Sequence, residues 1–239
     1  ELATINPLLA DGHLFVGYSG WRDETALHLK EGGALFPFEV AVSENGKVHV
    51  VAELGGQASQ SVGHEIESIN GVRTNTIVRS LLSRVHGDTP RFRAKLLSQR
   101  WWFFYWKVYG APSTYAIKLK KKSANVLRLM GSTEKPAVLV GEDTFDYQFQ
   151  FEIKADRSAV MTINTFSWSD LETFYEFTRR SFEQMKAAGT QTLVIDVRKN
   201  GGGDDVMWLE GLLPYLADKP YRWASRYIKK VVKADPTKN

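Results

Sequence analysis

The chain has 239 residues, of which 31 are basic and 27 acidic, so its formal net charge is +4, and it contains no cysteine. Hydrophobic residues make up 43% and charged residues 24%, which is ordinary globular usage and excludes disordered, collagen-like and disulfide-stapled classes. The lack of cysteine also excludes thiolate nucleophiles and zinc–thiolate sites. No run approaches the roughly 20 apolar residues that a membrane helix needs. We therefore expect a globular chain without a transmembrane segment.

The positive charge is concentrated at the carboxyl end of the sequence. Residues 219–239 carry seven Lys or Arg and one Asp, while residues 1–218 have a net charge of −2. This tail lacks the aromatic or glycine-rich pattern of a nucleic-acid surface, so we interpret it as a strand that enters a further part of the fold, and we predict no nucleic-acid partner. The opening Glu1-Leu2-Ala3-Thr4 has neither an initiator Met nor a signal-peptide pattern and is interpreted as a mature end or a boundary.

Residues 1–33 form the first of three predicted regions. A short apolar stretch leads to Asp11-Gly12-His13, and 14–16 is predicted as a strand. The region ends at Glu31-Gly32-Gly33, where two glycines favour a turn.

Residues 34–130 are predicted to form a small module of strands and one helix. The β-rich runs 35–42 and 47–51 flank an Asn-Gly turn at 43–46, which predicts a hairpin. The alternating run 65–69 is followed by a second Asn-Gly turn.

A helix is predicted next, with Thr74 as its cap, Val85 near its end and Gly87 terminating it. Further strands are predicted over 91–97 and 102–108. The aromatic run 100–106, which overlaps the second of these strands, is interpreted as core rather than as a base-stacking surface.

The remaining region, 131–239, reads as strand, helix, strand, helix. A strand over 159–166 precedes a helix opened by a Ser169–Glu172 capping box and ended near Gly189. The apolar run 192–198 is typical of a strand buried on both faces, and a helix begins at 204 or 205 and reaches about 217. This order predicts an α/β domain with a parallel strand pair.

Three consecutive glycines, 201–203, join the second strand to the last helix. Such a turn can aim backbone N–H groups outward and, in front of a helix, favours a phosphate, a carboxylate or the oxyanion of acyl transfer. A tight turn without a ligand is the alternative. Asp204-Asp205 are expected at a helix start because of the helix dipole, so we predict no metal and no cofactor.

The segment Leu193-Val194-Ile195-Asp196-Val197-Arg198-Lys199-Asn200-Gly201-Gly202-Gly203 resembles the "IDLRGNGGG" segment of the tail-specific (C-terminal-processing) serine peptidases, especially their tricorn-like branch. Lys199 stands where that family often has glycine. The resemblance implies that the backbone N–H groups of Gly201 and Gly202 form an oxyanion hole.

A second resemblance lies near the amino end, where Leu8-Leu9-Ala10-Asp11-Gly12-His13 resembles the "L-x-DGH" segment of tricorn-like members. It implies that His13 is the general base that activates a catalytic serine, a role suited to an imidazole that titrates near neutrality. The alternative is a hydrogen-bonded turn histidine.

The segment 65–72 resembles the "G-D-x-I-x-x-I-N-G" stretch of the PDZ-like domain of the same family, with His64 in place of the usual aspartate. The resemblance implies a carboxylate-binding loop over 34–39 and a groove wall over 75–85. A peptide adding as a strand would contact the side chains Phe36, Phe38, Ile77 and Leu81. A β module that merely packs is the alternative.

The family places its nucleophilic serine well after the glycine loop, at the start of a helix. Ser225 is the single serine after Gly203 and is interpreted as part of a strand, so the nucleophile is predicted to lie outside this chain. The chain alone is therefore expected to be inactive.

The predicted architecture is α+β or α/β: an end of the peptidase core (1–33), a PDZ-like module (34–130) and an incomplete crotonase-like peptidase core (131–239). The predicted function is a serine endopeptidase acting on a peptide or unfolded protein. The alternatives are a non-catalytic peptide-binding relative and an anion- or phosphate-binding domain. The family resemblance favours a periplasmic or secreted location over a cytoplasmic one and leaves a homo-oligomer open.

Overall fold

The computed structural model describes residues 1–17, 20–120, 126–142, 144–222 and 226. It divides the chain into two compact units, Glu1–Glu142 and residues 143–239. The predicted boundaries at 33 and 130 both fall inside the first unit, and the three-domain division stays a prediction.

The first unit combines short helices with two antiparallel sheets. Its α-helices are α1 (Asn6–Leu9), α2 (Trp21–Lys30), α3 (Thr74–Leu82), α4 (Pro90–Gln99) and α5 (Trp101–Tyr109), with 3-10 helices at Leu2–Ile5 and Ala137–Leu139. Its strands are β1 (Phe38–Val42), β2 (Val48–Glu53), β3 (Ile66–Ile69), β4 (Val72–Arg73), β5 (Thr114–Leu119) and β6 (Leu127–Met130). Strands β1 and β2 form one sheet, and the other has the order β4-β3-β5-β6.

The predicted Asn-Gly hairpin and the predicted second Asn-Gly turn are both confirmed. Between β1 and β2, Gly46 has a φ of +78°. Between β3 and β4, Asn70 and Gly71 have φ values of +50° and +80°, the pair of left-handed residues that a type I′ turn requires.

The predicted strand over 14–16 is wrong. The buried Asn6 side chain accepts a hydrogen bond from the Val16 nitrogen (2.7 Å) and donates to the Val16 carbonyl (2.9 Å). Because one amide side chain takes both backbone groups of Val16, that residue has none left for a neighbouring strand. The same Asn6 amide also donates to the Arg84 carbonyl (2.9 Å) and so fastens the amino-terminal segment to the end of α3.

Helix α3 is confirmed with different ends. Arg73 occupies the cap position, Thr74 is the first helical residue, and the helix stops at Leu82, five residues before Gly87. The predicted Thr74 cap is wrong because the buried Thr74 hydroxyl bonds to no described residue. The helix packs on the core through its buried residues Ile77, Val78 and Leu81.

The strands predicted over 91–97 and 102–108 are wrong, because both segments are helical. Thr89 caps α4 by accepting from the Phe92 nitrogen (3.2 Å), and Pro90 is placed at the first turn, where its missing N–H costs nothing. In α5 the apolar residues cover nearly the whole circumference, which is how a helix buried in a core differs from an amphipathic one. The interpretation of this aromatic run as core is confirmed.

The second unit holds a three-stranded sheet, β7 (Phe149–Ile153), β8 (Ser158–Ile163) and β9 (Thr192–Asp196), in the order β7-β8-β9. Its α-helices are α6 (Phe145–Gln148), α7 (Leu171–Ala187), α8 (Asp205–Gly211) and α9 (Leu213–Leu216). Strands β8 and β9 are parallel and joined through α7, which confirms the predicted parallel pair.

Two details of this unit differ from prediction. Helix α7 is capped by Asp170, whose carboxylate accepts from the Thr173 nitrogen (3.1 Å), so the predicted Ser169–Glu172 box is displaced by one residue. Strand β9 is not buried on both faces: it is an edge of the described sheet, and Val194 is 50% exposed.

Two further predictions for this unit, the helix end at Gly189 and the helix start at 204, are confirmed. Gly189 follows α7 with a φ of +62°, and Asp204 caps α8 by accepting from the Val206 nitrogen (3.1 Å). The helix predicted to reach 217 is split in two at Leu212, two residues before Pro214. Ser225 and the predicted strand of the basic tail lie outside the described residues.

No helix in the described ranges is both long enough and apolar enough to cross a membrane.

Candidate active site

The triple-glycine loop begins where β9 ends, at the carboxyl edge of the parallel pair. The nitrogen of Phe166 donates to the Gly202 carbonyl (2.9 Å), and the nitrogen of Asp204 donates to the Phe166 carbonyl (2.7 Å). A Cβ atom on Gly203, whose φ is +144°, would lie 2.0 Å from the Phe166 oxygen. Only glycine fits at 203, because the backbone of 166 passes too close for any side chain.

The Asn200 side chain fixes the inside of this loop. Its oxygen accepts from the Gly202 nitrogen (2.7 Å), and its amide donates to the Ile163 carbonyl at the end of β8 (3.1 Å). This is an Asx turn, which an asparagine two residues before a glycine can form.

The two predicted oxyanion donors therefore differ. The N–H of Gly202 is already bonded to Asn200. Within the described ranges the N–H of Gly201 has no acceptor, and a Cβ placed on Gly201 would meet no atom within 4 Å. The Gly201 N–H is thus the available donor. The sequence feature that distinguishes Gly201 from Gly202 is Asn200, whose side chain accepts the Gly202 N–H.

Charged side chains surround the loop. The guanidinium of Arg198 forms two hydrogen bonds with the Asp196 carboxylate (2.9 and 2.7 Å). Those bonds, together with the Arg198 backbone N–H, lower the pKa of Asp196 to about 2, so it is ionised at neutral pH. The ammonium of Lys199 lies 5.9 Å from the centre of the Tyr147 ring.

Asp204 and Asp205 both have structural partners at the start of α8. The Asp205 carboxylate accepts from the Trp208 indole nitrogen (3.0 Å), and Asp204 serves as the helix cap. In the part of the chain that the structure describes, no group of three His, Cys, Asp or Glu side chains is placed to hold a metal ion.

His13 lies in the first unit, in an exposed turn after α1. The Asp11 carboxylate accepts from the backbone nitrogens of His13 (2.6 Å) and Leu14 (2.9 Å), which lowers the pKa of Asp11. The Asp11 carboxylate therefore stabilises the backbone of the turn and does not orient the His13 imidazole. The pairing of His13 with the glycine loop of the second unit stays a prediction.

The predicted peptide contacts are core residues. Phe36, Phe38, Ile77 and Leu81 are all buried, and Phe36 packs edge-on against Tyr115 with ring centres 5.3 Å apart. Their burial speaks against a direct contact with a peptide in this conformation.

Helix α4 packs against β1. The Val42 nitrogen at the end of β1 donates to the Ser98 hydroxyl of α4 (2.8 Å). Sequence reasoning missed this contact because it assigned 91–97 to a strand.

A protein-family model matches a segment of the second unit. Residues 157–232 match the model of Peptidase family S41, and this segment contains β8, α7, β9 and the glycine loop. The match confirms that the chain resembles the tail-specific peptidases, as the glycine motif predicted.

The chain is also similar to solved protease structures. It has 15% identity with mature CPAF complexed with lactacystin, covering 86% of this chain and 46% of that one, with a TM-score of 0.47. It has 14% identity with the photosystem II D1 C-terminal processing protease, covering 76% and 45%, with a TM-score of 0.32. The chain thus spans less than half the length of each. No curated protein gives a significant sequence match.

Proposed function

We propose that the chain is part of a serine-type endopeptidase of the tricorn-like branch of the tail-specific family, with its nucleophilic serine outside these 239 residues. The observation that carries the proposal is the glycine loop after β9. It lies inside the segment that matches the peptidase family, and the Gly201 N–H is without an acceptor among the described residues. An N–H held open on a rigid turn can stabilise the negative oxygen that forms during acyl transfer.

The proposed chemistry gives each residue a separate role. The His13 imidazole accepts the proton of the serine hydroxyl as that oxygen attacks the substrate carbonyl, and it returns the proton to the leaving amine. The Gly201 N–H donates to the oxyanion. Gly202 contributes a second donor only if its N–H leaves Asn200, so we assign Gly202 chiefly a conformational role.

Peptides or unfolded proteins are the proposed substrates. We retain a PDZ-like module over 34–130 as a proposal, supported by the β1–β2 hairpin, the Asn70-Gly71 turn and α3. A crotonase-like core around the parallel pair is proposed on the same family resemblance. Because the four predicted contacts are buried, a peptide would have to use other side chains of the module.

The non-catalytic peptide-binding relative remains the second candidate, because it needs neither the serine nor the base. The phosphate-binding alternative is less favoured. The N–H of Gly202 already has an acceptor, which leaves the loop with fewer backbone donors than a phosphate cradle uses.

The test is performed on the full-length gene product. We expect it to hydrolyse an unfolded protein such as β-casein, and we expect His13→Ala to abolish turnover while His49→Ala, a control on β2, leaves it unchanged. The 239-residue chain alone should be inactive. Full activity of the His13→Ala variant would remove the proposed base, and a full-length sequence without a serine at a strand–helix turn would favour the non-catalytic relative.

A periplasmic or secreted location is proposed from the family resemblance. Fractionation of cells that express the full-length protein tests it, and recovery in the cytosolic fraction would contradict it.

A further inference from the structure

A cleft of about 830 Å³ opens in the first unit, between the amino-terminal segment, α2 and α5. This volume is within the range of small-molecule sites, about 300–1,000 Å³. Its apolar lining includes Phe15, Val16, Trp21, Phe103 and Phe104. The cleft is built entirely from the first unit and does not depend on the proposed peptidase function.

The charged lining of the cleft is mostly positive. Arg22, Arg84, Arg100 and Lys107 line it, against one carboxylate, that of Glu1. An apolar cleft with an excess of cations favours a ligand that combines an apolar body with a negative group.

Three of these four cations are already engaged. Arg22 pairs with Glu142 (2.5 Å), and Lys107 pairs with Glu24. Arg84 donates to the Ser80 carbonyl (2.6 Å) at the end of α3.

Arg100 differs from the other three. No carboxylate or carbonyl of the described residues accepts a hydrogen bond from its half-buried guanidinium, which lies over the Trp21 ring at 4.6 Å from its centre. Burial lowers the pKa of Arg100, and the charge of Arg22 lowers it further, although Glu142 opposes this. A partly buried cation without a hydrogen-bonded carboxylate is costly, and a bound anion would relieve that cost.

Hydrogen bonds hold the Arg100 main chain between two helices, and its guanidinium is placed against the Trp21 ring. The Arg100 backbone nitrogen donates to the Leu97 carbonyl (3.3 Å), and its carbonyl accepts from the nitrogens of Phe103 (3.1 Å) and Phe104 (3.0 Å). It therefore joins α4 to α5. Preorganisation of this kind lowers the entropy cost of binding.

The cleft is also lined by a stacked pair of rings. His86 lies against Phe15 with ring centres 4.0 Å apart and planes 10° apart. Burial, and then the charges of Arg100 and His13, lower the pKa of His86, so it is neutral at pH 7 and adds aromatic surface. An aromatic ligand would find matching faces there.

We propose that this cleft binds a small aryl or alkyl carboxylate, with Arg100 as the residue that pairs with the carboxylate and the rings around Phe15 and Trp21 as the seat for its apolar body.

Calorimetry on the 239-residue chain at pH 7 tests the proposal with 4-phenylbutyrate and its neutral counterpart 4-phenylbutyramide. We expect saturable binding of the carboxylate, with an affinity about tenfold or more above that of the amide, as a charge-assisted hydrogen bond predicts. Equal affinity for the two probes, or saturation by neither, would overturn the proposal.

Three variants locate the site. Arg100→Gln should lower the affinity for 4-phenylbutyrate about tenfold and leave that for the amide unchanged. Arg100→Lys keeps the charge and should be intermediate. The matched control is Arg91→Gln, which changes an exposed arginine near the start of helix α4 and should bind like the unchanged chain.

An undiminished affinity in Arg100→Gln, or an equal loss in Arg91→Gln, would assign the binding elsewhere. If circular dichroism shows that Arg100→Gln does not fold, the Arg100→Lys variant and the comparison of the two probes on the unchanged chain decide the question.

Discussion

The side-chain oxygen of Asn200 accepts a hydrogen bond from the nitrogen of Gly202 across 2.7 Å, and this single contact decides which glycine N–H groups of the loop are free. A motif of three glycines suggests several equivalent donors. The asparagine in front of them removes one, so the residue beside the glycines shapes the candidate oxyanion site as much as the glycines do.

Asn200→Ala should release the Gly202 N–H and also lose the bond to the Ile163 carbonyl. We expect the free energy of unfolding to fall by about 1–2 kcal/mol, because two hydrogen bonds disappear. Asn200→Asp keeps an oxygen that can accept the Gly202 N–H, so its free energy of unfolding should fall by less than that of Asn200→Ala. Urea unfolding of the three chains measures the difference, and equal stability of all three would mean that Asn200 does not hold the loop.

The second prediction compares alanine substitutions at Gly203 and Gly201, two glycines of the same loop that differ in the space around them. Gly203→Ala places a Cβ 2.0 Å from the Phe166 oxygen at a φ of +144°, so we expect a loss of about 2 kcal/mol or more. Gly201→Ala meets no atom within 4 Å and should change stability by less than about 0.5 kcal/mol.

The shift in the urea midpoint distinguishes these two variants. A larger loss for Gly201→Ala than for Gly203→Ala would contradict the loop geometry.

Turns and helix caps, which depend on one or two neighbouring residues, could be predicted from the sequence. The Asn70-Gly71 turn and the Asp204 cap follow from residues adjacent in the chain, and the parallel pair joined by α7 follows from the order strand, helix, strand. The glycine loop was placed at the end of β9 for the same reason.

The secondary-structure prediction is wrong where burial in the core overrides the local preference of the residues for strand. Trp101 and Trp102 open a run of aromatic residues, which individually favour strands, yet the run forms α5 because it is surrounded by core on nearly all sides. The sequence did contain a helix-start signal for α4, because Thr89 is its cap and Pro90 its first residue. The Asn6 contact with Val16 could not be foreseen, because it depends on tertiary packing.

Thr74 leads to a third prediction, on the cost of a hydroxyl in the core. The residue is 4% exposed, and its hydroxyl bonds to no described residue. Thr74→Val has nearly the same shape and removes the unsatisfied group, so we expect a gain of about 1 kcal/mol in the free energy of unfolding.

Thr25 is the matched control, because its hydroxyl is equally buried but donates to the Trp21 carbonyl (2.6 Å). Thr25→Val should lose about 1 kcal/mol. Urea unfolding measures both, and a loss of stability in Thr74→Val would mean that its hydroxyl has a partner, such as a water molecule.

We expect the free energy of unfolding of the first unit to depend on pH through Glu39. Its carboxylate accepts from the nitrogens of Ala137 (2.7 Å) and Gly55 (3.3 Å), which joins β1 to two loops. Burial raises the pKa of Glu39 above its ordinary value of 4.5, and the two hydrogen bonds oppose the rise without cancelling it. The folded chain therefore binds this proton more tightly than the unfolded chain does.

The sign of the effect follows from that difference in proton binding. Between pH 4.5 and the raised pKa, the folded state holds more of this proton, so the Glu39 contribution to stability falls as the pH rises. Glu39→Gln keeps an oxygen that can accept both hydrogen bonds but cannot ionise. The variant should lack this decline and be the more stable chain at neutral pH. Urea unfolding of both chains from pH 4 to 8 measures the difference, and a constant difference across that range would mean that the Glu39 carboxyl has the same pKa in both states.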